Sequence, residues 1–308
     1  MSVADRKTVG RFAPTPSGKM HLGNIFCAMI AYLSAKKNGG EFLLRIEDLD
    51  AARCPKENAD AVIRDLETFG FEFDGEIIYQ SRRTDVYKEF ENRLAKLGLV
   101  YPCFCSRAEL HASEAPHIGD GVYVYDGRCS LLSEEERRER AKKKKSCLRV
   151  KVPDSETVFE DKFKGRYAQN IKKECGDFII RRSDGVYAYQ LAVVADDALS
   201  GVSEVVRGED LISSAPRQLW LCEVLGLEKP AYAHIPLVTG AGGRRLSKRE
   251  GDGDTLAEVM SRKSPKEITG ELAFASGLID KYEPVSLAEL VPLFDFDKIK
   301  KTHIAVDL

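Results

Sequence analysis

Three short segments of this sequence hold residues whose types and spacing could do chemistry. The first, Arg11-Phe12-Ala13-Pro14-Thr15-Pro16-Ser17-Gly18-Lys19-Met20-His21-Leu22-Gly23-Asn24, runs from a strand through a proline- and glycine-rich turn into a helix. Such a junction points free backbone N–H groups and the positive end of a helix dipole at one spot, where a phosphate binds well. Gly23 lets an anion approach the backbone, and His21 and Asn24 can donate to phosphate oxygens. On composition alone an ordinary turn with a stray histidine is the simpler account, because this is not a Walker or dinucleotide glycine pattern. The second segment, Arg244-Arg245-Leu246-Ser247-Lys248-Arg249-Glu250-Gly251-Asp252, follows Gly240-Ala241-Gly242-Gly243. Its cluster of cations between glycines suits a polyphosphate, and a solvated basic loop is the competing account. The third is Cys103-Phe104-Cys105 with Cys129, thiols that suit zinc. Spacing alone points to His111 or His117 for the fourth ligand, against three buried reduced cysteines. Cys27, Cys54, Cys147, Cys175 and Cys222 lack partner spacing and are expected to pack.

The elements that must position these segments follow from periodicity. Val9–Phe12 reads as a strand, and Ile25, Phe26, Met29, Ile30 and Leu33 fall at helical spacing until Asn38-Gly39-Gly40. Phe42–Ile46 is a second strand, Pro55 opens a helix that ends at Gly70, and a third helix carries Tyr87, Phe90, Leu94 and Leu97 to Gly98. This β–α–β–α opening argues for a parallel sheet covered by helices. Residues 101–175 change character, with five of the eight cysteines and a charge run from Glu134 to Lys145 that reads as a solvated helix face. The α/β pattern resumes at Phe178–Ile180, Tyr187–Val194 and Val202–Val206; Ser213-Ser214-Ala215-Pro216 starts another helix, and the text after Gly253 reads as helical and charged.

The chain has 308 residues, 43% hydrophobic and 31% charged, enough for about two domains, and its 47 Lys+Arg against 49 Asp+Glu exclude a strongly basic binding protein. A local basic face on a neutral protein still permits a nucleic-acid partner. The start, MSVADRKTVG, has no apolar h-region, and the run Ile25–Leu33 is half of a membrane span, so a cytoplasmic protein with no membrane partner and reduced thiols is expected.

Taken together, the first two segments resemble the HIGH and KMSKS signatures of class I aminoacyl-tRNA synthetases. The wording resembles the glutamyl subgroup in particular, through Arg11–Asn24, Leu43-Leu44-Arg45-Ile46-Glu47-Asp48-Leu49-Asp50, Arg207-Gly208-Glu209-Asp210-Leu211 and Leu246-Ser247-Lys248-Arg249, in the right order from residue 9 to about 255. The 60 residues after Lys248 suit a small helical piece, not an added anticodon domain of ~100 residues. The chain therefore looks like the short relatives, the glutamyl-queuosine tRNA(Asp) synthetases. The resemblance implies an α/β fold: a class I synthetase Rossmann-like parallel sheet (first half 1–100, second half 177–245), an inserted zinc-bearing subdomain (101–176), and a KMSKS-like loop with a helical stem-contact region (246–308).

It also implies a site. L-Glutamate would be bound by Arg11, Ala13, Thr15, Ser17, Glu47, Tyr189 and Arg207, with Arg11 and Arg207 on a carboxylate, Glu47 on the ammonium and Tyr189 adding a hydroxyl, each at or near a strand end. ATP would be bound by His21, Gly23, Asn24, Ser247 and Lys248, with Mg²⁺ on its phosphates, and His21 and Lys248 would stabilise developing charge. One structural Zn²⁺ would be held by Cys103, Cys105, Tyr125 and Cys129, with Tyr123 a rival for the tyrosine. The implied activity is ATP-dependent activation of glutamate without tRNA and transfer to queuosine in the anticodon of tRNA(Asp), by a monomer. A truncated-type synthetase charging the 3′ end of tRNA(Glu), or an inactive tRNA-binding module, are the alternatives. Val193, apolar where many full-length relatives carry Asn, suggests weaker glutamate binding.

Overall fold

The computed structural model describes residues 7–106, 109, 117–118, 122–240 and 255–306. The chain opens with β1 (Val9–Phe12), α1 (Leu22–Lys37), β2 (Glu41–Ile46), α2 (Lys56–Thr68), β3 (Ile78–Tyr79) and α3 (Thr84–Lys96). Strands β1, β2 and β3 pair in parallel in that order, as the β–α–β–α pattern predicts. Then come β4 (Val100–Cys103), β5 (His117–Ile118), β6 (Val122–Tyr123), α4 (Glu134–Lys143), β7 (Cys147–Val150), β8 (Glu156–Asp161), β9 (Gly165–Asn170) and β10 (Phe178–Arg181). The last stretch holds α5 (Tyr189–Leu199), β11 (Glu204–Gly208), α6 (Ala215–Leu225), β12 (Ala231–Ile235), β13 (Val238–Thr239), α7 (Leu256–Met260), α8 (Pro265–Ser276) and β14 (Ile304–Ala305).

A second sheet runs β11-β12-β8-β9, with β11, β12 and β8 parallel and β9 closing an antiparallel hairpin. The Ser203 amide donates to the Val9 carbonyl (3.0 Å) and Arg11 Nη1 to the Val206 carbonyl (3.4 Å), which sets β11 beside β1. β1 therefore has β2 on one flank and β11 on the other. The strands that follow β1 and β11 in the chain, β2 and β12, lie on opposite sides of this pair, and ligands bind beyond the carboxyl ends of strands at such a point.

Helix α1 is buried almost all round, from Leu22 to Ala35. A helix apolar on every side needs cover on every side, and the sheet and the 255–306 segment supply it. Phe26, Met29 and Leu33 share one core with Leu44 and Ile46 of β2 and with Val259, Ile268 and Leu272 of α7 and α8. β14 pairs in parallel with β13, so the helical text after Gly253 also contains a short strand. Helix α4 has no buried residue and is capped by Ser133 and Glu136, the solvated face its charge run predicts.

One expectation is corrected. Tyr187–Val194 does not place Tyr189 at a strand end; Tyr189 is the first residue of helix α5. Leu191–Ala195 are buried in a core with α3 and α6, and an unbroken apolar run cannot by itself separate a buried helix from a buried strand. Among the described residues no helix is long and apolar enough to cross a membrane.

Candidate active site

The turn before α1 is set by its own residues. Pro14 and Pro16 fix φ and lack N–H groups, and their carbonyls are taken by the Glu47 amide (3.0 Å) and Asn58 Nδ2 (3.1 Å). His21 is the N-cap of α1, and its amide donates to Asn24 Oδ1 (3.1 Å). A Cβ on Gly23 would lie 3.1 Å from two atoms of the His21 ring, so glycine lets the imidazole fold over the first helical turn. That turn contains no acidic residue, leaving the positive helix end uncompensated for an anion. Ala13 and Ser17 are half-buried beside it and Thr15 is exposed. Ser247 and Lys248 lie outside the described residues. The segments flanking theirs meet this helix start: the Leu256 amide donates to the Met20 carbonyl (3.0 Å), and Val238 Cβ lies 4.0 Å from the Gly23 Cβ position.

Arg11, on β1, and Arg207, on β11, are 5% and 4% exposed and sit on neighbouring strands. Arg207 Nη1 donates to Tyr189 Oη (3.3 Å) and Gln218 Oε1 (2.9 Å), Nη2 to the Leu211 carbonyl (3.2 Å), and Nε to His234 Nε2 (3.0 Å). Arg11 is less committed: Nη1 makes one long bond to Val206, and Nε lies 3.4 Å from Asp197 Oδ1 without a hydrogen bond. Buried guanidinium donors of this kind suit a planar carboxylate.

Glu47 follows β2 and accepts from Arg45 Nη2 (3.4 Å). Burial pushes its carboxyl up, against the pull of Arg45 and Arg11, so an arriving ammonium would add a further cationic partner. Arg45 is fully buried and donates through Nη1 to Asp197 (2.6 Å). Burial raises the Asp197 carboxyl too, but Arg45 and Arg11 more than offset it and hold the group below its ordinary range. The structure thus links Arg11 and Glu47 through Arg45 and Asp197, which sequence reasoning left without a role, and sets Arg207, bonded to Tyr189, on the strand beside Arg11. The available signal was an arginine inside the apolar run Leu43–Ile46 and the acids Asp196-Asp197 ending an apolar helix. Val193, one turn past Tyr189, is buried in the core that Tyr189 borders.

The cysteine site is separate. Cys103, Cys105 and Cys129 bring their sulfurs within 4.8 Å of one another, and Tyr125 Oη is 3.4 Å from Cys103 Sγ and 3.9 Å from Cys105 Sγ. Three thiols and a phenol converging on one point fit a zinc ion. His111 lies outside the described residues, as do the side chains of His117 and Tyr123. Cys147 is not merely a packing residue: it faces Cys103 across β4 and β7, and its thiol donates to the Cys103 carbonyl (3.5 Å). The Cys147 side chain beside the Cys103 sulfur, ahead of Tyr125 and Arg149, lowers the Cys103 thiol well below the ordinary range, the direction that favours a metal ligand.

A family model described as the catalytic domain of class I tRNA synthetases (E and Q) matches residues 7–283. The chain belongs to this family. It is therefore an enzyme of the ligase class that uses ATP as a substrate. It is 45% identical to the glutamyl-Q tRNA(Asp) synthetase of Symbiobacterium thermophilum over 96% of this chain and 95% of that protein. It is 48% identical to the glutamyl-Q tRNA(Asp) synthetase of Neisseria meningitidis serogroup C over 96% and 98%. Among solved structures, the glutamate tRNA ligase of Elizabethkingia meningosepticum, crystallised with its amino acid, matches with a TM-score of 0.82 at 28% identity, over 97% of this chain and 67% of that one. The expected class I α/β fold is the fold observed.

Proposed function

We propose that this protein activates L-glutamate with ATP and Mg²⁺, without tRNA, and transfers the glutamyl group to the queuosine base in the anticodon of tRNA(Asp). One observation carries the activation step: Arg11, Glu47, Tyr189 and Arg207 converge from separate elements beside the start of α1. The acceptor is supported by the names of the relatives that match end to end.

In this reading Arg11 and Arg207 hold carboxylate oxygens, Glu47 takes the ammonium, and Tyr189, Ala13, Thr15 and Ser17 complete the pocket. His21, Gly23 and Asn24 seat the phosphates, joined by Ser247 and Lys248 from the second segment. The glutamate α-carboxylate attacks the α-phosphorus in line; the new P–O bond forms as the bond to the bridging oxygen breaks, and pyrophosphate leaves with its electron pair. No covalent bond to the enzyme forms, so the chain contributes positioning and charge stabilisation. A hydroxyl of the queuosine ring then attacks the activated carbonyl and AMP departs. Cys103, Cys105, Tyr125 and Cys129 would hold zinc as a structural cross-link, since four protein ligands leave no open position. Exchange of label between pyrophosphate and ATP in the absence of tRNA tests the activation step. Exchange driven by glutamate but not by glutamine is expected; exchange that appears only on adding tRNA would contradict it.

A further inference from the structure

Behind Arg207 lies a carboxylate–imidazole pair that the activation step does not use. Asp161 ends β8, His234 lies on β12 and Arg207 on β11, three consecutive strands of one sheet. Arg207 and His234 are directly paired in register. His234 is 0% exposed; its Nδ1 lies 2.5 Å from Asp161 Oδ2, and its Nε2 lies 3.0 Å from Arg207 Nε. An arginine Nε–H can only donate. His234 Nε2 must therefore accept, and the single imidazole proton must sit on Nδ1 and point at Asp161. The Asp161 carboxylate is fixed independently by the amides of Phe163 (3.0 Å), Lys164 (2.8 Å) and His234 (3.1 Å). Tyr232 stacks flat on the imidazole, 5.6 Å between centroids, and the same ring lies under the Arg207 guanidinium. Burial holds His234 below the usual range against the pull of Asp161, and Arg207 adds to that lowering.

We propose that Asp161 and His234 are positioning residues for the substrate carboxylate: Asp161 selects the His234 tautomer, and that tautomer holds Arg207 in its fork geometry. The proposal rests on the reading of Arg207 as a ligand of glutamate. With Nε engaged by His234, Nη1 by Gln218 and Tyr189, and one Nη2 hydrogen by Leu211, the outward Nη2–H and the Tyr189 hydroxyl are left to meet a carboxylate. Freed from His234, the planar guanidinium would swing about the Cγ–Cδ and Cδ–Nε bonds and lose that alignment, and a displacement of about 1 Å can cost on the order of 10²-fold.

Asp161→Asn separates this role from simple packing. An asparagine amide can donate to His234 Nδ1, which moves the proton to Nε2 and sets two donors against each other at Arg207, with almost no change in shape. Pyrophosphate–ATP exchange should show the KM for glutamate raised at least tenfold in Asp161→Asn and His234→Leu, with the KM for ATP unchanged. His234→Gln, which restores an acceptor toward Arg207, should return glutamate KM to within about threefold of wild type. A glutamate KM within twofold of wild type in a folded Asp161→Asn protein would overturn the proposal. Nitrogen NMR of the His234 ring reads the tautomer without any substrate. Nδ1–H in the wild type and Nε2–H in Asp161→Asn are expected, and Nε2–H or a cationic ring in the wild type at pH 7 would overturn the proposal. Wild-type protein inert to glutamate, with the expected tautomers, would instead count against the glutamate reading.

Discussion

Asp197 ties Arg11 and Arg45 together, and Arg45 in turn reaches Glu47, so the two residues expected to grip opposite charges of the amino acid share one buried lattice. Removing one member of such a lattice leaves a buried charge uncompensated. Asp197→Asn should therefore destabilise the protein by about 3 kcal/mol at neutral pH. The pH dependence has a definite sign. The native Asp197 carboxyl lies below its ordinary value of about 3.9. Its contribution is complete above that value and is lost as pH falls through the lower native value. Urea unfolding at several pH values should show the gap between wild type and Asp197→Asn constant near neutrality and closing below about pH 4; a gap that widens in acid would refute this. Arg11, Glu47 and Arg207 were legible because each stands in a distinctive local phrase. Asp197, Arg45 and His234 were not, because what marks them is a partner far along the chain: 152 residues separate Arg45 from Asp197.

Helix α1 shows how one element can serve both core and site. Its flanks build the main apolar cluster, while its first turn, free of acids and opened by Gly23, is the part proposed to seat the phosphates. Gly23→Ala tests that division. The added methyl would press on the His21 ring at 3.1 Å, whereas alanine at this helical position improves intrinsic propensity by up to about 1 kcal/mol. The melting temperature should hold or rise while the KM for ATP rises at least tenfold, measured by exchange at saturating glutamate. An unchanged ATP KM would remove the first turn from the phosphate site. Periodicity made α2 and α3 readable through a clean apolar stripe and α4 through the lack of one, while α1, apolar on every side, was bounded by the turn before it and by Asn38-Gly39-Gly40. It failed at α5, whose apolar positions are buried from several sides and carry no period, so the helix that presents Tyr189 was hidden until its neighbours were placed.

At the scale of the molecule, parallel sheets meet at β1 and β11, and both arginines of the pocket come from that junction. The cysteine cluster stands apart, where β4 meets the turn carrying Tyr125 and Cys129, with a small core of its own. That core is too small to hold its shape by burial alone, so zinc should stabilise it. Protein loaded with one equivalent of zinc should lose it on chelation, Cys129→Ser should fail to hold it, and each should lower the melting temperature by several degrees; retention of one equivalent of zinc by Cys129→Ser would exclude Cys129 as a ligand. Sequence motifs located β1, β2, β11 and the thiols, but not that β8 and β9, expected in the insert, join the sheet of β11 and β12 while β10 pairs with β7. The order β3-β2-β1 beside β11-β12-β8-β9 was not readable, because strand neighbours depend on packing between segments almost 200 residues apart.

The acceptor of the glutamyl group is reached directly by one assay: transfer of labelled glutamate, with ATP and Mg²⁺, to purified tRNA(Asp) with and without queuosine, alongside tRNA(Glu). Label confined to queuosine-bearing tRNA(Asp), and stable when the 3′ terminal nucleoside is removed, is the expected result. Label on the 3′ end of tRNA(Glu) would contradict the claim and assign this pocket to ordinary aminoacylation.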